Sequence, residues 1–182
     1  DYLIKLKKKK YYFIGAKKDR DFCKDLKIIE EKNLKKSDFI LNLGMNEDET
    51  INKYARVLQN AVKISLLMIC VNPDLKVIRG KKKEFCAGSL ALKYEELGGK
   101  VKYFGKPYSE IYKKTMKKIK IRNKNKILAI GDSLRTDILG ANNFQIDSAL
   151  VLSGIHGKIK EIEKVCKKTN IYPKFLFNTL KW

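Results

Sequence analysis

Short apolar runs alternate with amphipathic stretches along almost the whole of this chain, and that alternation restricts the fold more than any single residue does. Residues 11–15, 39–44, 66–71, 101–104, 127–130, 149–152 and 175–177 read as strands. Between them, residues 21–29, 46–64, 87–97, 109–119, 136–143 and 158–168 read as helices or helix-bearing connections, and 77–80 as a hairpin arm. Strands alternating with helices of about ten residues predict an α/β fold of parallel strands joined by crossover helices. The run from Leu66 to Val71 is apolar throughout, as a strand covered on both faces requires, and Asn72-Pro73-Asp74 ends it with a turn-forming triplet.

The clearest helix spans residues 46–64. Asn46 or Asp48 is placed to cap it, and Glu47 and Glu49 suit the positive end of its dipole. Ile51, Tyr54, Ala55, Leu58 and Val62 recur at spacings of three and four, which makes one apolar stripe. After the helix at 87–97, the Gly98-Gly99 pair supplies a residue free to take positive φ at the C-cap.

Charge narrows the function classes. Lys and Arg number 41 against 20 Asp and Glu, a formal net charge of +21 on 182 residues. A field of that sign attracts polyanions. Only five of the cations are Arg, however, and the 36 Lys are spread over every segment. Nucleic-acid sites draw on the planar fork of Arg and on exposed aromatic platforms, so a solvated lysine surface is the preferred reading and a nucleic-acid partner is not expected. The longest uncharged apolar stretch, residues 64–71, is too short to span a bilayer, and no secretory leader opens the chain. Cys23, Cys70, Cys86 and Cys166 show no CxxC pair or zinc spacing and read as reduced thiols of a cytoplasmic protein. The chain begins at Asp1, in mid-pattern, which suggests that its native start lies upstream.

Chemistry concentrates in two places. In Ile127-Leu128-Ala129-Ile130-Gly131-Asp132-Ser133-Leu134-Arg135-Thr136-Asp137-Ile138-Leu139-Gly140-Ala141, an apolar strand ends in Gly-Asp, and a second carboxylate follows where a helix begins. Ligands of open α/β sheets sit beyond the carboxyl ends of strands, so Asp132 is aimed at that crevice. Asp132 and Asp137 offer hard oxygen ligands suited to Mg²⁺, which keeps several waters and leaves room for a substrate phosphate. Further upstream, Lys106 follows the strand at 101–104 directly, in Gly105-Lys106-Pro107. A lysine fixed there neutralises charge on a transferring phosphoryl group.

These two segments, 26 residues apart from Lys106 to Asp132, resemble motifs III and IV of the haloacid dehalogenase superfamily. The likeness extends through Asn72-Pro73-Asp74, Ala87-Gly88-Ser89-Leu90, Leu152-Ser153-Gly154-Ile155-His156 and the tail from Pro173 to Trp182, all similar to subclass IIA, the NagD-like phosphatases. The resemblance implies a Rossmann-like core with an α/β C2-type cap: residues 1–102 as the cap and 103–182 as the C-terminal half of the core. It also implies a phosphomonoester hydrolase acting on a small phosphorylated metabolite through an aspartyl-phosphate intermediate. Lys106 would be catalytic, holding the nucleophilic carboxylate and the phosphate; Asp132 would be a direct or near-direct Mg²⁺ ligand and Asp137 would support the metal shell; Asn72, Asp74, Ser133 and His156 are candidate substrate-binding residues. The resemblance leaves the oligomeric state open, and a homo-oligomer is allowed because caps of this kind often have an exposed apolar sheet edge that could pair.

One departure matters. The family nucleophile is the first Asp of a DxD motif that directly follows an apolar strand, and no such segment is present. Asp19-Arg20-Asp21 has the letters, but Ala16-Lys17-Lys18 separates it from the preceding strand, and the pair reads as the acidic start of a helix. The phosphate-binding Ser or Thr of the second motif is missing too. The nucleophile is therefore expected upstream of this chain, which should be inactive alone. The rival reading is a non-catalytic phosphate- or polyanion-binding protein on the same fold.

Overall fold

The computed structural model describes residues 2, 9–24, 27–79, 82–152 and 159–180. The chain divides into two compact units, Asp1–Phe104 and Gly105–Trp182, and both are α/β.

In the first unit, β1 (Lys10–Ile14), β2 (Ile29–Glu30), β3 (Phe39–Asn42), β4 (Leu67–Cys70) and β7 (Val101–Tyr103) form one parallel sheet in the order β2-β1-β3-β4-β7. Its registers, Tyr11 beside Phe39 and Ile40 beside Met68, sort the side chains onto two faces. Ile14, Ile40, Met68 and Cys70 pack against Leu58 and Ala61 of α1 (Ala55–Lys63) and Leu90, Ala91 and Tyr94 of α2 (Ala87–Glu96). Tyr11, Phe39, Leu41 and Ile69 form a second core with Cys23 on the other face. The near-continuous apolar strands seen in the sequence are thus explained by a parallel sheet covered on both sides. Each fully buried Leu, Ile or Phe contributes roughly 1.5–3 kcal/mol. Among the described residues, β5 (Lys76–Arg79) and β6 (Lys82–Phe85) pair only with each other, as an antiparallel hairpin.

Two local features differ from the sequence expectation. The helix expected from residue 46 begins later, as a 3₁₀ turn at Ile51–Tyr54 that runs into α1. Glu49 explains the delay: its carboxylate accepts from the backbone N–H and side-chain amide of Asn46, from Lys53 Nζ at 2.5 Å and from the Tyr54 hydroxyl. These bonds stabilise a compact turn in place of a first helical turn. Where a short helix plus connection is expected at 21–29, the described residues hold the end of a 3₁₀ turn at Lys17–Cys23 and the start of the short β2. At the other end of α2 the expectation holds, with Gly98 at φ +91°.

The Lys53 bond, followed by those from Tyr54 and Asn46, lowers the Glu49 pKa from 4.5 to about 2. A carboxyl depressed in the folded state contributes stability that is complete above about 4.5 and is lost as the pH falls through about 2. Thermal denaturation across that window should therefore show a falling Tm in the wild type and a flatter acid limb in Glu49→Gln.

The Asn72-Pro73-Asp74 turn abuts the start of α2. Asn72 Oδ1 accepts from the Asp74 N–H, and the Asp74 carbonyl accepts from the Gly88 N–H at 3.0 Å. A Cβ at residue 88 would lie 2.2 Å from the Pro73 carbonyl oxygen, which is backbone and cannot swing aside. Gly88→Ala is expected to cost about 1–3 kcal/mol by overpacking, read from the urea midpoint at constant slope.

The second unit holds a three-stranded parallel sheet in the order β10-β9-β8, from β8 (Leu128–Gly131), β9 (Asp147–Val151) and β10 (Phe175–Phe177). Its helices are α3 (Ser109–Ile119), α4 (Leu139–Phe144) and α5 (Ile159–Thr169). Leu150 packs with Leu134, Ile138, Ile162 and Cys166, while Ala129 packs near Phe144, Tyr112 and Met116. The register places Ala129 and Leu150 on the same face of the sheet, so both clusters cover one side.

Among the described residues no disulfide joins the cysteines, and Cys23, Cys70 and Cys166 are buried. No helix among them is long and apolar enough to cross a membrane.

Candidate active site

The second unit brings Lys106, Asp132, Ser133 and Asp137 to the carboxyl end of β8. The chain leaves β8 at Gly131 and enters a wide helical turn at Leu134–Ile138, where Asp137 and Ile138 both donate their N–H to the Ser133 carbonyl, before tightening into α4. Widened turns of this π type recur at functional sites. The expected helix at 136–143 is therefore present but begins in this wider form.

Asp137 organises the loop. It is buried, and its Oδ1 accepts from Lys106 Nζ at 2.5 Å. Its Oδ2 accepts from the backbone N–H groups of Asp132 and Ser133, each at 3.1 Å. Gly131 makes this possible, because a Cβ there would lie 2.1 Å from the Asp137 carboxyl carbon. The loop thus folds back over its own strand end onto a carboxylate, and that carboxylate holds the lysine.

Asp132 is placed differently. Its side chain is half-buried at the strand end, and its carboxylate makes no hydrogen bond or ion pair among the described residues. Ser133 is buried, and its hydroxyl oxygen caps the wide turn by accepting from the Thr136 N–H at 3.3 Å. No group of three His, Cys, Asp or Glu side chains among the described residues is arranged to hold a metal. The donors that fit Mg²⁺ here reduce to the Asp132 carboxylate, a hard oxygen ligand with room for water around it.

Two further residues escaped the sequence reading. Tyr112 of α3 donates its hydroxyl to the Asp137 carbonyl at 3.4 Å, and its own pKa is pushed up to about 12, first by burial and then by the Asp137 charge. Gly140 lets α4 approach it: a Cβ there would meet the Tyr112 oxygen at 2.2 Å and Pro107 Cα at 2.9 Å. Tyr112 sits on an ordinary amphipathic stripe, and the available sequence signal for such close packing is Gly140, three residues beyond Asp137.

Asn72 and Asp74 belong to the first unit. That unit contains a cavity of about 470 Å³ whose wall includes Lys17, Asp19, Met45, Glu47, Asn72 and Phe85. The wall is built from the segments that follow β1, β3 and β4. β1 is flanked by β2 on one side and β3 on the other, so the cavity opens at the point where the strand order reverses, where ligands of open α/β sheets bind. Asn72 therefore lines a crevice, whereas Asp74 is engaged in the turn. His156 lies outside the described residues, as do residues 153–155.

Residues 103–181 match the HAD-hydrolase-like family model. No curated protein matches the chain. Among solved structures, a haloacid dehalogenase-like hydrolase from Brucella suis superposes with a TM-score of 0.86 at 26% identity, covering 99% of this chain and 69% of its own. A possible sugar phosphatase of the same superfamily from Cytophaga hutchinsonii gives 0.77 at 24% identity over 100% of this chain and 69% of its own. A 4-nitrophenylphosphatase from Thermotoga maritima shares the fold at 0.71 and 21% identity, over 97% of this chain and 65% of its own. The family match falls on the unit that carries Lys106, Asp132 and Asp137, and over both units the chain is similar in fold to a haloacid dehalogenase-like hydrolase.

Proposed function

We propose that this chain is the larger part of a Mg²⁺-dependent phosphatase for small phosphorylated metabolites, with its nucleophilic aspartate supplied by sequence outside these 182 residues. The observation that carries the reading is the division of labour between the two carboxylates. Asp137 is spent on Lys106 and the loop backbone, and the half-buried Asp132 carboxylate is left without a bond among the described residues. Lys106, with half of its side chain exposed, is anchored by one proton and keeps others for a phosphate oxygen. Asp132 would hold Mg²⁺, and Asp137 would support that shell from behind through the Asp132 N–H. Bound there, Mg²⁺ supplies charge stabilisation for a transferring phosphoryl group. The matched structures named as phosphatases support the reaction class.

Residues 1–102 would then act as the cap and 103–182 as the C-terminal core half.

The test is hydrolysis of 4-nitrophenyl phosphate by the chain extended with its flanking coding sequence, with MgCl₂ and with EDTA. Turnover that needs the metal, together with silence of the 182-residue chain, is the expected result. An extended chain that carries DxD yet hydrolyses no phosphomonoester would sink the proposal. An extension lacking DxD would leave the non-catalytic phosphate-binding reading in its place.

A further inference from the structure

Asp137 is gripped at both ends. Its carboxylate accepts from Lys106 Nζ and from the N–H groups of Asp132 and Ser133, while its backbone carbonyl accepts from the Tyr112 hydroxyl of α3 at 3.4 Å. The first grip shapes the loop after β8. The second fixes where Asp137 itself stands, at the step where the wide turn tightens into α4.

The surroundings of Tyr112 aim its oxygen at that carbonyl. The ring stacks on Phe144 of α4, with centroids 5.2 Å apart and planes 21° from parallel, and Met116 and Ala129 belong to the same apolar cluster. Lys124 Nζ lies 4.3 Å from the centre of the Phe144 ring and donates to the Phe144 carbonyl at 2.7 Å, so the platform is itself tied down. An added Cβ at Gly140 would stand 2.2 Å from the Tyr112 oxygen and 2.9 Å from Pro107 Cα. The oxygen, the residue after Lys106 and the first turn of α4 therefore meet at one point. Packing accounts for the ring, and a phenylalanine would serve it equally. The Asp137 carbonyl accounts for the hydroxyl.

We infer that Tyr112 is a positioning residue of the site: its hydroxyl, through the Asp137 backbone, sets where the Asp137 carboxylate presents Lys106 and holds the Asp132 loop. A wide turn gives up the regular i to i−4 bonding of an α-helix, so a residue at its end gains from an outside tie. Groups that act on a substrate need placement to within about 0.5 Å, and a shift of Asp137 would carry Lys106 with it. The inference deepens the phosphatase reading and rests on it for its kinetic consequence, but not for its structural one.

Tyr112→Phe removes the oxygen and keeps the ring stack. In amide hydrogen exchange on the 182-residue chain, the Asp132 and Ser133 N–H groups should exchange about two- to fivefold faster in the variant, the lower part of the range for one hydrogen bond because the contact is long. The Leu150 N–H, in the central strand β9, should be unchanged, since the opening is local. In the extended chain, kcat for 4-nitrophenyl phosphate should fall about two- to fivefold with KM held, the mark of a contact felt in the transition state. Unchanged exchange at Asp132 and Ser133 overturns the inference. Acceleration at Leu150 by the same factor also overturns it, by giving the hydroxyl a merely structural role. So does a wild-type kcat for Tyr112→Phe in an active extended enzyme. An extended wild type without activity would end the phosphatase reading, and the exchange comparison alone would then decide this one.

Discussion

Asp132→Asn in the extended enzyme is expected to lower kcat by roughly 10²–10³-fold, the range typical of losing one preorganised charge contact at a reacting centre. Its folding stability should stay within about 0.5 kcal/mol of wild type. The second half of that expectation makes the first informative. The Asp132 carboxylate makes no bond among the described residues, so an isosteric amide disturbs nothing that the fold uses. Only the charge, and with it the hard ligand for Mg²⁺, is lost. Steady-state kinetics and thermal denaturation on the same preparation check both halves. A variant with full activity would remove Asp132 from the reaction.

Asp137→Ala should show the opposite signature, a loss of stability of roughly 2–5 kcal/mol with activity falling as a consequence. Three donors converge on this buried side chain: Lys106 Nζ and the N–H groups of Asp132 and Ser133. Truncation leaves two backbone donors without an acceptor and creates a void beside Gly131, whose missing Cβ was the condition for the carboxylate's approach. Because the Lys106 side chain is half exposed, solvent recovers part of its share, and the estimate is set below that for a fully buried ion pair. Since native domains are stable by only about 5–15 kcal/mol, a loss of this size should be plain in a urea titration. An Asp137→Ala chain as stable as wild type would mean that the loop is held by something other than its carboxylate.

The sequence made the architecture legible because strand and helix periods alternate cleanly, and residues 66–71 could hardly be anything but a buried strand. Where the reading slipped, a side chain had overruled a pattern. Glu49 looked like a helix-start acid; its bonds to Asn46, Lys53 and Tyr54 hold a tight turn and move the helix start to Ala55. The site was legible as a cluster, and the resemblance implied a direct role for Asp132 and a supporting one for Asp137, but not the bonds that carry that support. As residue types Asp132 and Asp137 are alike, and only the backbone path after Gly131 decides which one is consumed. Tyr112 was invisible for a related reason, since its contact with Asp137 joins residues 25 apart through a packing that no local pattern encodes.

Among the described residues the hairpin of β5 and β6 pairs with no strand of the larger sheet, yet Val77, Glu84 and Phe85 stand in the wall of the cavity beside Asn72. Its length and sequence are free to drift, or to be exchanged wholesale between relatives, without shifting a single register of the sheet beneath. The shape of that cavity is thus carried in part on an interchangeable element, and grafting residues 76–85 is the economical route to changing it.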